Sequence, residues 1–223
     1  MIYLDRYKKE QFKNVYFITG TATGGKTTIS KALAEKYGFV RYDVDVEFDR
    51  HKTLSNPKDQ PNMNKSFKNA DEFFMRDKDE YIQWLKDNSN EQLQFILNDL
   101  IELSKSQKVV CDLHLTVEQA RAITSENQVV FLIRENNDNI IDDYCNRRSH
   151  IGFRLFINSA SNPELAKQNC NEVLRILNED RCASIRKSEF LWIERNEKST
   201  VENTIAMIEK HFGLTEIEAS DED

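Results

Sequence analysis

One nine-residue segment, residues 20–28, constrains the fold of this chain more than any other feature of its sequence. Its first eight residues, Gly-Thr-Ala-Thr-Gly-Gly-Lys-Thr, fit the phosphate-binding pattern G-x-x-x-x-G-K-[ST]. In this pattern the two glycines allow backbone turns that aim successive N–H groups at phosphate oxygens. Because the pattern works only where a strand ends and a helix begins, it predicts a strand before Gly20 and a helix after Gly25.

The residues on both sides of the pattern have the character that it requires. Residues 15–19 are β-branched or aromatic, which is typical of a buried parallel strand. Ile29, Leu33 and Tyr37 follow helical spacing, and Gly38 is suited to end that helix. We therefore interpret the pattern as a nucleotide-binding P-loop, with a glycine-rich turn that binds no ligand as the alternative.

The P-loop positions have predicted parts in binding ATP and Mg²⁺. Lys26 is expected to reach the β- and γ-phosphates and to act in catalysis, and the Thr27 hydroxyl to ligate Mg²⁺. The N-terminus of the following helix adds partial positive charge. The predicted ATP-binding residues are Gly20, Thr21, Ala22, Thr23, Gly24, Gly25, Lys26, Thr27 and Thr28.

Composition narrows the class of protein further. The 223 residues are enough for one α/β domain with a small inserted lid. A net charge of −7 argues against general nucleic-acid binding. Residues 1–12 lack the apolar core of a signal peptide, and no apolar run approaches the roughly 18 residues of a membrane span. Cys111, Cys145, Cys170 and Cys182 lack metal-binding spacing, so we expect reduced thiols in a cytoplasmic protein.

Apolar runs and helical stretches alternate along the chain, which predicts an α/β fold with a parallel sheet covered on both faces. Strands are predicted at residues 15–19, 39–43, 108–113, 128–133 and 190–194. A helix is predicted over residues 91–105 from the spacing of its apolar residues. Helix starts are predicted at Thr116 and Ser199, each followed three residues later by Gln or Glu, and at Asn162, which precedes Pro163.

Two long stretches depart from this alternation. Residues 51–90 are polar with interspersed aromatic residues, and residues 135–189 are far longer than a usual crossover. Both leave the carboxyl end of the predicted sheet, where α/β proteins bind ligands. We expect a segment that binds a second substrate at about 51–90 and a lid at about 135–160, within a single domain over residues 1–215. Residues 216–223 are expected to form an acidic tail.

Three acidic residues are predicted at the ligand edge of the sheet. Asp43 and Asp45 close the second strand, where alternation places their side chains on one side. Asp112 ends the third strand, after the kind of hydrophobic run that precedes a magnesium-orienting Asp in P-loop enzymes. Asp43 and Asp112 are therefore candidate Mg²⁺ ligands beside Thr27, and Asp45 is a candidate base for a substrate hydroxyl. The alternative is a set of solvated or capping carboxylates.

Other charged residues are also predicted near this edge. Glu91 is expected to open the helix before the third strand and to stabilise its N-terminus. We expect His114 to be a hydrogen-bonded neighbour rather than a base. Arg147 and Arg148 are candidate catalytic groups, because guanidinium groups stabilise the charge that develops on a transferring phosphoryl group. They lie on a predicted helix where adjacent residues point about 100° apart, so one of them would face the site, and a solvated face is the alternative.

This order of motifs resembles the P-loop kinases of small molecules, which include nucleoside, nucleotide, shikimate and gluconate kinases. Asp43 and Asp45 resemble the D-x-D pair of shikimate kinases, and Arg147 or Arg148 would correspond to lid arginines. The resemblance implies a three-layer P-loop NTPase fold with a five-stranded parallel sheet in the order 2-3-1-4-5, a helical lid and a Mg-ATP donor. Residues 51–115 contain no glycine, which argues against shikimate itself as the acceptor.

The leading interpretation is an ATP- and Mg²⁺-dependent kinase that transfers the γ-phosphate to a small-molecule acceptor. Acceptors such as a nucleoside, a nucleotide, a sugar acid or an antibiotic-like alcohol remain open. The alternative is a regulatory ATPase without small-molecule transfer. A Ras-like GTPase is disfavoured because residues 64–67, Asn-Lys-Ser-Phe, miss the last position of the N-K-x-D motif. A kinase of nucleic-acid ends would need a basic groove, against which the net charge argues.

Overall fold

Five parallel strands form one sheet in the described part of the chain, residues 4–135, 140–146 and 150–214 of a computed structural model. They are β1 Val15–Gly20, β2 Val40–Asp43, β3 Val109–Asp112, β4 Val129–Ile133 and β5 Trp192–Glu194. Their order is β2-β3-β1-β4-β5, and each neighbouring pair is parallel. The predicted α/β class and the order 2-3-1-4-5 are confirmed, and each predicted strand end lies within two residues of the observed one.

Helices connect the strands. They are α1 Lys26–Tyr37, α2 Val44–Leu54, α3 Pro61–Asn64, α4 Ala70–Phe74, α5 Lys78–Leu103, α6 Val117–Ile123, α7 Ile140–Cys145, α8 Ile151–Asn158, α9 Pro163–Arg186 and α10 Val201–Phe212. Short 3₁₀ turns lie at Leu4–Arg6, Lys9–Phe12 and Glu126–Gln128. Within the described ranges, none of these helices combines the length and the apolar character that a membrane crossing requires.

Successive side chains of each strand point to opposite faces of the sheet, and helices cover both faces. Phe17 and Phe131 pack on one face in a core cluster with the apolar side of α5. Ile18 and Leu132 pack on the other face, against α1 and α10. Each such buried side chain contributes roughly 1.5–3 kcal/mol relative to an exposed one. The sheet and the helices on its two faces form the three layers that the resemblance implies.

A third apolar cluster consists mainly of helix residues and, in the described part of the chain, contains no strand residue. It combines α4 and the first half of α5 with α7, α8 and α9, and we call it the helical cluster. Phe74 and Val173 are fully buried within it. The two stretches that depart from the strand–helix alternation therefore pack against each other. All four cysteines are buried free thiols, as predicted.

Two predicted helix starts are wrong. The helix predicted from residue 91 begins at Lys78, where the Asp77 carboxylate accepts hydrogen bonds from the N–H groups of Asp79 and Glu80. The last helix is capped by Thr200 instead of Ser199, since the Thr200 hydroxyl accepts from the Asn203 N–H at 3.1 Å. The predicted caps at Thr116 and Asn162 are confirmed.

Candidate functional site

The loop between β1 and α1 holds the residues of the phosphate-binding pattern. A Cβ atom on Gly20 would lie 2.0 Å from the Leu132 carbonyl oxygen, so no larger residue fits there. Gly25 has a φ of 87°, a backbone conformation that L side chains rarely adopt. The Thr21 N–H also donates to the Leu132 carbonyl at 3.0 Å, which fixes the loop against β4. The strand–loop–helix context that the pattern requires is thus present.

Lys26 begins α1 at the end of this loop. Its ammonium group donates a hydrogen bond to the Thr21 carbonyl oxygen at 2.6 Å, so the side chain folds back over the loop. The first N–H groups of a helix have no acceptor within the helix, and its dipole adds partial positive charge there. The combination of a lysine and a helix N-terminus can bind an anion such as a phosphate group.

Asp112 is the centre of a hydrogen-bond network at the end of β3. It accepts hydrogen bonds from the Thr27 hydroxyl at 2.8 Å and from the Ser30 hydroxyl at 2.7 Å. Arg41 also donates to it at 2.9 Å. The side chain of Asp112 is only 8% exposed, and the arginine balances its charge. The predicted pair of Thr27 and Asp112 is therefore brought together, with oxygen atoms of the kind that Mg²⁺ prefers.

Asp43 and Asp45 do not occupy one side of a strand, so that prediction is wrong. Strand β2 ends at Asp43, which caps α2 by accepting from the Asp45 N–H at 3.2 Å. Asp45 lies in the first turn of α2. Arg41, which the sequence analysis did not identify, donates to Asp43 at 2.6 Å and joins this acid to the Asp112 network.

Asp45 lines a cavity. Its side chain is 80% exposed, yet partial removal from water and the charge of Asp43 raise the pKa of Asp45 above its ordinary value. His150 Nε2 lies 3.9 Å from an Asp45 oxygen. Because the Tyr144 carbonyl can only accept, His150 Nδ1 donates to it at 3.0 Å, and Nε2 is the ring nitrogen on the side of Asp45. The sequence gives no local signal for this His150 contact.

His114 supports the loop, as the sequence analysis predicts. Its Nδ1 lies 2.8 Å from the Gly20 carbonyl oxygen and therefore donates to it. Removal of the ring from bulk water lowers the pKa of His114 well below its ordinary value, and the positive charges of Lys26 and Arg181 act in the same direction. A neutral ring at pH 7 fits a structural role for this residue.

Helix α9 adds two site residues that the sequence analysis missed. The Asn178 side chain accepts from the Ala22 N–H at 2.9 Å and donates to the Ala22 carbonyl at 3.3 Å, so it docks the helix on the loop. One turn later, Arg181 lines the same cavity as Lys26. Its guanidinium forms no hydrogen bond or ion pair with a described residue, and burial lowers the pKa of Arg181 to about 10.

A cavity of about 580 Å³ lies between the sheet edge and the helical cluster. Thr23, Lys26 and Thr27 of the loop line one end, together with Asp45 and Asp112. The other lining residues are mainly aromatic and aliphatic, and several of them come from the segment 51–90 and from α7 to α9. Its volume is in the range of pockets that bury a drug-sized ligand.

The Glu91 prediction is wrong in its location. Glu91 lies in the middle of α5 and does not begin a helix. Its carboxylate instead accepts hydrogen bonds from the backbone N–H groups of Asn62 at 3.1 Å and Met63 at 2.8 Å. Glu91 therefore caps the short helix α3 and holds the loop before it on α5.

A second group of possible metal ligands lies between α2 and α5. Side-chain atoms of Glu47, His51 and Asp99 lie within 4.8 Å of one another. The Arg50 guanidinium pairs with both carboxylates of this group. Because Arg50 and the Tyr42 hydroxyl already contact these ligand atoms, we assign the group a structural role.

The candidate lid arginines cannot be placed. Arg147 and Arg148 lie outside the described residues, as does the predicted tail at 216–223. Arg134, which follows β4, pairs with Asp143 of α7 at 3.0 Å.

No protein-family model and no curated protein sequence matches the chain. A solved structure of a protein named putative kinase, from Chloroflexus aurantiacus J-10-fl, is similar to 88% of this chain and to 97% of its own. The two chains are 11% identical, with a TM-score of 0.46. A similarity at this level says nothing about activity or substrate.

Proposed function

We propose that this protein is a P-loop kinase that transfers the γ-phosphate of ATP, with Mg²⁺, to a hydroxyl group of a small molecule. The observation that carries the proposal is the arrangement around the cavity. A loop with the phosphate-binding pattern forms one end, with Thr27 bonded to Asp112, and Asp45 opens into the same space. A phosphate donor, a divalent cation and a substrate hydroxyl are the partners that these groups fit.

The residues present suit Mg-ATP. Residues 20–28 would hold the phosphates, and Lys26 would exchange its bond to the Thr21 carbonyl for phosphate oxygens. The Thr27 hydroxyl and the Asp112 carboxylate supply hard oxygen atoms, and Mg²⁺ held there would neutralise charge on the phosphates. Arg41 contacts both acids, but only Asp112 is bonded to the Thr27 hydroxyl, so Asp112 is the better candidate of the two acids at the metal.

Asp45 is suited to act on the acceptor. Its carboxylate is ionised above its pKa and would accept the proton of the acceptor hydroxyl during transfer. His150, with Nε2 facing the carboxylate, would hold Asp45 in place and stabilise its charge. Arg181 would stabilise the charge on the transferring phosphoryl group, a role in which Arg147 and Arg148 are further candidates.

Replacing Arg181 with methionine is expected to lower kcat by roughly 10²–10³-fold without loss of stability. A buried guanidinium without an acceptor is costly to the fold, so the melting temperature should stay the same or rise. Arg175→Met on the same helix, where Arg175 pairs with Glu179 at the surface, is the matched control and should leave kcat unchanged. Steady-state kinetics and thermal melting of both variants test this role, and an unchanged kcat in Arg181→Met would contradict it.

The lid proposal predicts ligand-dependent protection from proteolysis. Trypsin cleavage after the exposed Arg154 of α8 should slow when a non-hydrolysable ATP analogue, Mg²⁺ and acceptor are present together. Lys105 lies just before β3, at the amino ends of the strands and away from the candidate site. Trypsin cleavage after Lys105 should therefore not change and serves as the internal control. Equal cleavage at Arg154 with and without ligands would remove the lid role.

Acceptor dependence of ATP turnover tests the proposed function. We expect ADP release from Mg-ATP to rise strongly when a panel of nucleosides, nucleotides, sugar acids and alcohols is added. Slow release that no acceptor changes would instead favour the regulatory ATPase.

A further inference from the structure

We propose that the acceptor is an uncharged alcohol with an aromatic or other apolar ring as its body. This inference rests on the proposed kinase function and names the substrate class of the same site. It follows from the composition of the cavity beyond the loop, where two sets of apolar side chains contribute to the lining and Lys86 is the described charged lining residue that the proposed transfer does not use.

The first wall consists of Phe73 of α4 with Tyr81 and Trp84 of α5, and we call it the aromatic wall. The Phe73 ring meets Tyr81 at 5.2 Å and Trp84 at 5.4 Å between centroids, both edge to face. This geometry is favourable for aromatic pairs and gives the wall a fixed shape. A flat ring is the ligand body that such a surface fits best.

The polar atoms of the aromatic wall form hydrogen bonds with other groups of the protein. The Trp84 indole N–H donates to the Asn62 carbonyl at 3.2 Å, and the Tyr81 hydroxyl lies 3.6 Å from the Cys170 sulfur. The nearby Gln92 amide is similarly engaged, since its NH₂ group donates to the Val44 carbonyl and to His51. The wall therefore offers hydrocarbon and π surface to a ligand, and few hydrogen-bond donors.

The Arg76 guanidinium packs against all three rings of the aromatic wall. Its guanidinium carbon lies 4.1 Å from the Tyr81 ring centroid, 4.6 Å from Trp84 and 4.7 Å from Phe73, distances at which cation–π attraction operates. The guanidinium nitrogens are buried and have no hydrogen-bond acceptor among the described residues. Arg76 does not line the cavity, so its charge positions the rings and does not meet an acceptor.

The second wall is formed by Tyr144 of α7, Phe153 of α8 and Leu174 of α9, and we call it the lid-side wall. Tyr144 and Phe153 pack edge to face with centroids 5.3 Å apart. The aromatic wall and the lid-side wall both belong to the helical cluster, whose apolar contacts hold them together. A ring bound in the cavity would have apolar side chains of both walls available to contact.

Charged side chains are concentrated at the loop end of the cavity. Apart from those that the proposed transfer uses, the charged lining residue in the described ranges is Lys86, which lies 3.8 Å from Asp180 in a surface ion pair. A carboxylate or phosphate on the acceptor body would therefore have to compete with Asp180 for Lys86, or lose its hydration without a compensating partner. This argues against sugar acids and nucleotides and favours a neutral alcohol.

The transfer balances for such an acceptor. The acceptor oxygen forms a bond to the γ-phosphorus, while the bond from that phosphorus to the bridging oxygen breaks and its electron pair stays on ADP. The hydroxyl proton passes to the Asp45 carboxylate and then to solvent. The products are a phosphate monoester, ADP and one proton.

A matched ligand pair tests the inference on the wild-type protein. Naphthylethanol carries an apolar ring and a hydroxyl, and a (hydroxyethyl)naphthoate keeps that hydroxyl and adds a carboxylate to the ring. Calorimetric titration in the presence of Mg²⁺ and a non-hydrolysable ATP analogue should show naphthylethanol binding at least about 10-fold more tightly. Equal or tighter binding of the naphthoate, or no binding of either compound, would overturn the inference.

Two glutamate substitutions on α9 locate the binding site. Leu174→Glu places a charge in the lid-side wall and should weaken naphthylethanol binding by about 10-fold or more, with binding of the ATP analogue unchanged. Leu165→Glu makes the same change at a position 42% exposed and outside the cavity, so binding should not change. Equal effects of the two substitutions would contradict the assignment; if Leu174→Glu fails to fold, the wild-type ligand pair still decides.

The outcomes separate this inference from the proposed function. Tight binding of naphthylethanol without any ATP consumption would support the apolar acceptor site and contradict the kinase. Phosphorylation of sugar acids or nucleotides, with no phosphorylation of aromatic alcohols, would support the kinase and overturn the acceptor class.

Discussion

Replacing Lys26 with alanine is expected to reduce ATP turnover by roughly 10²–10³-fold or more, because a charge aimed at the β- and γ-phosphates is lost where negative charge develops. The Lys26 side chain already lies over the loop through its 2.6 Å hydrogen bond to the Thr21 carbonyl. It therefore needs no large rearrangement to reach the phosphates. ADP release under saturating Mg-ATP measures the effect. Thermal melting of the same sample shows whether the fold is kept.

Lys31→Ala is the matched control for this substitution. Lys31 lies on the same helix α1, and its side chain is exposed to solvent. Its removal should leave turnover within experimental error of the wild type. Unchanged turnover in Lys26→Ala would contradict the assignment of the loop as a P-loop, since the lysine is the catalytic residue of that motif.

Replacing Asp45 with asparagine is expected to lower kcat by roughly 10²–10⁴-fold while ATP affinity stays near that of the wild type. Asparagine keeps the size of the side chain but cannot accept the hydroxyl proton. A loss shared equally between kcat and ATP affinity would instead move Asp45 to the metal. Asp49→Asn, at an exposed position of the same helix, is the control and should have no effect.

The same residue predicts a pH dependence. The base works only when ionised, so kcat/KM should fall as the pH drops through the pKa of Asp45. Because partial removal from water and Asp43 raise this pKa, the acid limb should lie above the value of about 3.9 that is typical of an exposed Asp. In the pH profile of Asp45→Asn this limb should be missing. A wild-type limb at or below the ordinary value would contradict the role of Asp45 as the base.

The sheet could be predicted closely from sequence because its signals are local. The central strands β1 and β4 are short runs rich in β-branched and aromatic residues, and Gly38 ends α1 in the left-handed conformation that favours glycine. The residues of a single strand do not indicate its position in the sheet. The strand order was implied by the resemblance to P-loop kinases and is confirmed by the pairing of β1 with β3 and β4.

The boundaries that were wrong have physical reasons. The first half of α5 is polar on much of its surface, so its apolar spacing becomes clear only after residue 91, although Asp77 caps it earlier. At Asp43 the backbone leaves the strand to become a helix cap, which ends the alternation on which the placement of Asp45 depended. At the last helix, Ser199 and Thr200 are both chemically able to cap, and only the backbone decides between them.

Much of the candidate site could not be predicted because it depends on contacts between distant parts of the chain. Arg41, His150 and Arg181 come from β2, the residue before α8 and the second half of α9, and only the tertiary fold brings them near Asp43, Asp45 and Asp112. The sequence around each of them is that of an ordinary helix or strand. The sequence shows that the segment 51–90 contains several aromatic residues. It does not show which of these rings line the cavity, because that depends on how the helices pack.

Transfer of a labelled γ-phosphate tests the central claim most directly. The wild-type protein would be incubated with Mg²⁺ and γ-labelled ATP, with and without a panel of neutral aromatic alcohols, nucleosides and sugar acids, beside Lys26→Ala. We predict that the label appears in an organic phosphate ester, in amounts equal to the ADP released, only with an acceptor and with the wild-type protein. Label found only in inorganic phosphate, at a rate that no acceptor changes, would contradict the claim that this protein is a kinase.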